Sequence, residues 1–262
     1  MSQLKNFISL PITKVVKDRT YPQDDRVVQE VPVTLFLNDE EFVTLVCSPQ
    51  HLRELAVGFL CSEGILQQPS DLHYLSVNEK EGIIKINATA GQAEKQFLKR
   101  YITSCCGRGR SSFYFINDAR SMSRINSHIS ITPYQVWNLT TQLESMSTLF
   151  QNTGGVHNAA LCTPENVVVF FEDIGRHNAV DKIFGHCFLK TIQMNDKILV
   201  FSGRISSEIL IKVAKMNIPI LVSRSAPTAL AVNMANELGM TVVGFARDNR
   251  FNIYTNPRRI II

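Results

Sequence analysis

Hydrophobic positions in the first part of the chain recur mostly at strand spacing, interrupted by one stretch at helical spacing. VPVTLFLNDEEFVTLVC forms two β-rich runs around Asn38-Asp39, which predicts a hairpin. SPQHLRELAVGFLCSEGIL follows, with Leu52, Leu55, Ala56, Phe59 and Leu60 on one helical face. Ser48 is its expected N-cap, Pro49 its first helical residue and Gly64 its stop. LHYLSVNEKEGIIKINA predicts a second hairpin, and residues 84–102 carry no decisive pattern.

Beyond residue 130 the rhythm changes. TPYQVWNLTTQLESMSTLFQNT is one amphipathic helix opened by a Thr-Pro cap. HNAALCTPENVVVFFED then reads as strand, turn and strand, followed by the helix HNAVDKIFGHCFLK. Three strands follow, DKILVFSG, IPILVSRS and MTVVGFAR, separated by the helices SSEILIKVAKM and PTALAVNMANELG. RFNIYT adds a final edge. The order α-β-β-α-β-α-β-α-β, with strands apolar on both faces, predicts a three-layer α/β sandwich around a mixed sheet. A smaller α+β domain, 1–120, precedes it. The sandwich takes 121–262, and the change falls in the polar stretch INDARSMSRINSHIS.

Composition adds bounds rather than a function. The chain has 262 residues, 45% of them hydrophobic and 19% charged, which is a globular profile with ample core. A net charge of +4 permits an anionic ligand without demanding nucleic acid. The first residues lack an apolar stretch of signal-peptide quality and no run approaches a membrane span, so the expected compartment is the cytoplasm. Thiols stay reduced there. Cys47, Cys61, Cys162 and Cys187 sit in apolar stretches and read as small core hydrophobes.

Ligands of open α/β sheets bind beyond the carboxyl ends of the strands. Three such ends in this chain deliver an arginine each: Arg176, Arg204 and Arg224, beside small residues and helix starts. A guanidinium next to free backbone N–H groups suits phosphate. The competing reading pairs each arginine with a local acid, Asp173, Glu172 or Glu208. Gly154 and Gly155 permit close backbone approach to a ligand, and His157 follows them. His177 and Asp181 stand one helical turn apart, a spacing at which the carboxylate would orient the imidazole. Both histidines read first as structural, and with no cysteine pair at zinc spacing the chain predicts no metal.

TSCCGRGR, residues 103–110, places two adjacent thiols among arginines and glycines. The thiolate is the nucleophile, and Arg108 and Arg110 favour it over the thiol. Covalent catalysis or sulfur carriage as a persulfide suits this loop. An RNA-binding reading of GRGR lacks interleaved aromatics.

TGGVHNAAL, EDIGRHNAVDKIFG, SGRISSEILIKVAK, IPILVSRSAPTALAV, GMTVVGFARDNRFNIYT and the earlier LRELAVGFLCSEGIL together resemble the FdhD family, the accessory sulfurtransferases of formate dehydrogenase. The resemblance spans Asp25 to Pro257. It implies a cytidine-deaminase-like fold for the C-terminal domain, and a homodimer. It implies that sulfur arrives as a persulfide from a cysteine desulfurase and passes to the molybdenum bis(molybdopterin guanine dinucleotide) cofactor for formate dehydrogenase. GDP would mimic the cofactor's ends, and neither nucleic acid nor a membrane is an implied partner. The family's loop reads Thr-Ser-x-Cys-Gly-x-Cys-Gly, so Cys106 inherits the persulfide role, while Gly109 stands where the second cysteine would be. Cys105 occupies the variable position. Either Cys106 suffices, or Cys105 assists it, or the chain is a non-covalent carrier of the molybdenum cofactor. The resemblance also assigns cofactor binding to FARDNR: Phe245, Ala246, Arg247, Asp248, Asn249 and Arg250.

Overall fold

The computed structural model describes residues 5–89 and 122–262. The loop 103–110, with Cys105, Cys106, Arg108 and Arg110, lies outside the described residues. The chain opens with strands β1 (Phe7–Val16) and β2 (Arg19–Val28), paired as a two-stranded ribbon. Then come β3 (Val31–Leu37), β4 (Glu40–Cys47), helix α1 (Leu52–Glu63), β5 (Leu72–Asn78) and β6 (Ile83–Ala88). The four strands form a sheet in the order β4-β3-β6-β5, with β3 and β6 parallel and the two expected hairpins antiparallel. Asn38 and Asp39 turn the first hairpin with φ of 52° and 67°, the left-handed pair that a tight hairpin requires.

The C-terminal part contains α2 (Pro133–Met146), α3 (Thr148–Thr153), β7 (His157–Cys162), β8 (Val167–Asp173) and α4 (Arg176–Lys190). It continues with β9 (Ile198–Phe201), α5 (Ser207–Lys215), β10 (Ile220–Ser223), α6 (Ala229–Glu237), β11 (Thr241–Arg247) and β12 (Arg250–Thr255). Its six-stranded sheet runs β12-β11-β10-β9-β7-β8, with β9, β10 and β11 parallel and the others antiparallel. The mixed α/β sandwich read from the sequence is therefore the fold.

Strand alternation divides the core. Ala160, Cys162, Ile198, Val200, Ile220, Val222 and Val243 face α2 through Val136, Leu139 and Leu143. Ala159, Leu161, Leu199, Phe201, Leu221 and Val242 face the opposite way, into a second core with residues of α4, α5, α6 and α1 and of the four-stranded sheet. Both faces are covered, which explains the nearly continuous apolar strands.

Two expectations about helix ends are corrected. The first helix starts at Leu52 after His51 in the left-handed conformation, φ 59°, and Ser48 does not cap it. Instead Ser48 N–H donates to Asp173 Oδ2 at 3.1 Å and Ser48 Oγ accepts from Ile174 N–H at 3.1 Å, so the residue serves a tertiary tether. Gly64 ends the helix as expected, at φ 78°. The expected single helix over 132–153 starts at its Thr132 cap but breaks at Ser147 into α2 and α3. Ser147 Oγ donates to Leu143 O at 2.6 Å and accepts from Asn158 Nδ2, a local bond that competes with the helix ladder.

Helix α1 lies directly on α4, and glycines set the crossing. A methyl carbon on Gly58 would stand 1.7 Å from the carbonyl oxygen of Asp181, and one on Gly185 would stand 1.9 Å from that of Glu54. Only hydrogen fits at either place, because both obstacles are backbone. Gly58→Ala and Gly185→Ala are each expected to destabilise the chain by more than about 3 kcal/mol by forcing the helices apart. Denaturant titration at matched m-value checks this, and an alanine variant of wild-type stability would contradict the crossing.

Candidate functional site

The parallel strands β9, β10 and β11 end at one edge of the sheet. β7 runs antiparallel to β9, so its first residue, His157, lies at that same edge, opposite Asp173 at the end of β8. Five strands thus bring a terminus to one line. Their turns are fixed by serines: Ser223 Oγ donates to Gly203 O at 2.7 Å, Ser225 Oγ donates to Ser202 O at 3.1 Å, and Ser202 Oγ accepts from Asn158 N–H at 3.1 Å. The Ser225 carbonyl accepts from Phe245 N–H at 3.2 Å, which ties in the end of β11.

A cleft of about 390 Å³ opens above this edge. Gly154, Gly155, Val156 and His157 line it together with Phe150, Ile174, Ser202, Ser225, Arg224 and Arg247. Two arginines therefore line a space bordered by two glycines and two serines. Arg224 Nε lies 3.0 Å from Glu144 Oε1, an ion pair that holds the side chain at α2. Arg247 is exposed. The arrangement suits an anion with a planar edge, because arginine presents its donors as a fork.

Beneath the cleft, Asp173 is wholly buried and its carboxylate collects donors. Lys182 Nζ pairs with it at 2.7 Å, Gly175 N–H and Asn178 Nδ2 donate to Oδ1 at 2.9 Å each, and Ser48 N–H donates to Oδ2. Lys182 also donates to Glu172 O at 3.1 Å. This network fixes the turn between β8 and α4. Arg176 leaves that turn with its stem against Gly203, where a methyl carbon would stand 3.1 Å from the arginine Cβ and Cδ. Its Nε is buried without a hydrogen-bond partner among the described residues.

His157 Nδ1 lies 3.3 Å from Ser202 Oγ. Burial, then the nearby Arg176 and His177, hold its pKa below the ordinary histidine value, with Asp173 opposing them. The imidazole is thus neutral near pH 7. Glu208 is held below the usual carboxylate range, first by its bond to His177 and against the opposing effect of burial.

The edge brings together some expected residues and separates others. Arg224, Arg247, His157 and the glycine pair share the cleft. Arg204 is exposed and does not line it. Arg176 and His177 stand outside its lining as well. The expected bond between His177 and Asp181 does not form: His177 Nε2 lies 3.0 Å from Glu208 Oε2, while Asp181 binds Lys212 Nζ at 2.5 Å and accepts from Ser62 Oγ at 2.6 Å. Asp181 faces α1 and α5, so the two side chains leave their helix in different directions.

The acids expected to capture the arginines are engaged elsewhere, Glu172 with the backbone N–H groups of Leu149 and Phe150 at the start of α3. Glu144, absent from the sequence reading, pairs with Arg224 across more than one element. Within FARDNR, Ala246 is wholly buried in the core against α2, so its methyl is not a ligand contact. Phe245 takes φ 54° at a bulge, and Asp248 and Asn249 turn the hairpin at φ 51° and 55°, with Arg250 exposed at the start of β12. Phe150, Ser202 and Ser225 were missed. The two serines sit immediately beside the strand ends that drew attention to the arginines, and that position was their available signal.

The described cysteines offer no nucleophile. Burial pushes the thiols of Cys47, Cys162 and Cys187 up to about 12 and raises that of Cys61 as well.

Comparison with known proteins places this geometry in a family context. The model of the FdhD/NarQ family matches residues 28–261. The chain is 46% identical over 253 residues to the "Sulfur carrier protein FdhD" of Halalkalibacterium halodurans, covering 95% of this chain and 94% of that protein. It is 49% identical over 238 residues to the protein of the same description from Bacillus pumilus, covering 90% of each. A crystal structure of a putative formate dehydrogenase accessory protein from Desulfotalea psychrophila superposes with a TM-score of 0.83 at 24% identity, covering 98% of this chain and all of that one, and establishes likeness of fold.

The depressed histidine gives a pH prediction. The unfolded chain takes up a proton near pH 6.5 that the fold accepts only at lower pH, so stability falls as pH drops below 6.5. NMR titration of the His157 ring should give a midpoint below 6.5, and His157→Gln should flatten this part of the stability profile. A midpoint above 6.5 would contradict the assigned surroundings.

Proposed function

The chain belongs to the FdhD/NarQ family, and on that premise we propose that it is a sulfur carrier acting for formate dehydrogenase. Its 46% and 49% identity, over 90% or more of each chain, to relatives described as sulfur carrier proteins carries this reading. The chemistry of the six cysteines supports it. Four are buried with raised thiols, which leaves Cys105 and Cys106 as the pair whose sequence surroundings favour a thiolate.

Cys106 thiolate attacks the outer sulfur of a cysteine desulfurase persulfide. One S–S bond forms on Cys106 and one breaks on the donor, which leaves as a thiolate, so no net redox change occurs. Arg108 and Arg110 favour the anionic forms. Delivery of that sulfur as sulfide requires two electrons. Attack by Cys105 on Cys106 Sγ supplies them, releasing HS⁻ and leaving a Cys105–Cys106 disulfide. In this reading Cys105 takes the part of the family cysteine replaced by Gly109.

The acceptor is the molybdenum bis(molybdopterin guanine dinucleotide) cofactor, bound as substrate in the cytoplasm. The cleft suits one guanine dinucleotide end: Arg224 and Arg247 face its phosphates, and Gly154 and Gly155 allow the ligand close to the backbone. The departure at Gly109 favours one other reading, a carrier that binds the cofactor without covalent chemistry.

Mass spectrometry of the intact chain after incubation with a desulfurase and L-cysteine separates the two. Sulfur carriage predicts a reducible gain of one sulfur atom, lost in Cys106→Ala and retained in Cys105→Ala. No gain, with a desulfurase shown to load another acceptor, favours the non-covalent carrier. For the cleft, Arg224→Ala and Arg247→Ala should each weaken GDP binding by about tenfold or more, whereas Arg204→Ala should leave it unchanged. Equal calorimetric affinities for all three variants and the wild type would remove GDP from this cleft.

A further inference from the structure

Ser202 follows β9 and His157 opens β7, so the antiparallel pairing of these strands sets the two residues side by side at the sheet edge. Both line the cleft with Arg224 and Arg247. The serine is fixed in place: its N–H donates to Asn158 O, its carbonyl accepts from Ser225 Oγ, and its own Oγ accepts from Asn158 N–H, each at 3.1 Å. One lone pair and one hydrogen remain on that oxygen, and His157 Nδ1 stands 3.3 Å from it. Among the described residues this is the hydrogen bond of the ring, which leaves Nε2 to the ligand space.

The hydrogens of this pair can be counted. A neutral imidazole carries one ring hydrogen on either nitrogen. With it on Nε2, Nδ1 takes the serine's hydroxyl hydrogen and the pair presents only Nε2–H. With it on Nδ1, that N–H donates to Ser202 Oγ and the pair presents only the hydroxyl hydrogen, beside an Nε2 lone pair that repels an anion. A protonated ring does both. Nδ1–H then donates to Oγ, which frees the hydroxyl hydrogen, and Nε2–H remains, so the pair has two donors and a positive charge.

Among the described residues, Arg176 and His177 act on the ring from the start of α4 and Asp173 from the end of β8. Arg224 and Arg247 share the cleft from the ends of β10 and β11. Arg224 is paired with Glu144 of α2, and His177 with Glu208 of α5. Burial, Arg176 and His177 hold the ring neutral against Asp173. An anion seated against the two cleft arginines brings the opposite sign into the same space, which favours the imidazolium.

Resting on the reading of this cleft as a phosphate site, we propose that His157 takes up a proton from solvent when a phosphate-bearing ligand binds, and that Nε2–H and the Ser202 hydroxyl both donate to the phosphate oxygens. The added charge offsets one charge of the ligand. By linkage, affinity falls as pH rises through the midpoint of the ligand-bound ring. A neutral nucleoside gains nothing from the proton, so His157 and Ser202 select the phosphate ester.

NMR titration of the His157 ring in the full chain, with and without saturating GDP, tests this. The midpoint should lie below 6.5 in the free chain and rise by about one pH unit or more with GDP, while guanosine should leave it unmoved. Calorimetry at about pH 7, in buffers of different ionisation enthalpy, should show proton uptake in the wild type that His157→Gln lacks. The wild type should bind GDP about tenfold more tightly than His157→Gln near pH 6.5, and the difference should shrink as pH rises toward about 8.5. The terminal phosphate of GDP ionises in both titrations, so the difference isolates the ring. GDP that binds with an unmoved ring midpoint, or with an affinity ratio independent of pH, would overturn the proton uptake and leave the cleft standing. GDP that fails to bind the wild type would remove the cleft reading and this proposal together.

Discussion

The carboxylate of Asp173 is the interaction on which the remainder depends. An ion out of water is tolerated only when its charge is matched and its lone pairs are filled. Asp173 meets that demand with a lysine from α4, an amide side chain, the backbone of its own turn and the backbone of Ser48 from the other sheet's flank. Asn178 extends the set by donating to Val46 O at 3.0 Å. The N-terminal strands, the end of β8 and the start of α4 are thereby fixed to one another at the root of the cleft. Removing one partner would leave the others buried and unmatched, so the group holds together or fails as a unit.

That tether works because α1 and α4 meet backbone to backbone. Gly58 and Gly185 let the helix axes approach, and the polar bonds of Asp181 to Ser62 and Lys212 then span α1, α4 and α5. Helix α4 is consequently buried on nearly all sides, between the six-stranded sheet and α1. Its N-terminal turn carries Arg176 to the sheet edge. The rigidity of the edge thus follows from helix packing on the far side of the sheet as much as from the strand ends themselves. The proposed role, holding an anionic ligand in place during sulfur delivery, calls for walls fixed in this way.

The cleft and the ribbon meet at α3. Glu172 holds the first turn of α3, Phe150 on that helix lines the cleft, and Asn152 receives the base of the ribbon. One short helix therefore carries contacts both to the ribbon base and to the wall of the cleft.

Element types and their order were legible in the sequence because they rest on local spacing. The hairpin at Asn38-Asp39, the glycine stop of α1, the Thr132 cap and the alternation of apolar strands with helices each need only a few neighbouring residues. Strand ends could be read too, and with them the positions where arginines collect. Tertiary structure decided the direction of each side chain. Arg224 faces the cleft and Arg204 faces solvent, although both follow a parallel strand. Ser48 left its helix to bind Asp173, and Ser147 broke a helix that periodicity had left whole. Glu144 reached Arg224 from a different layer. In each case the deciding partner is distant along the chain, and its position is set by the packing of two cores that no short window of sequence contains.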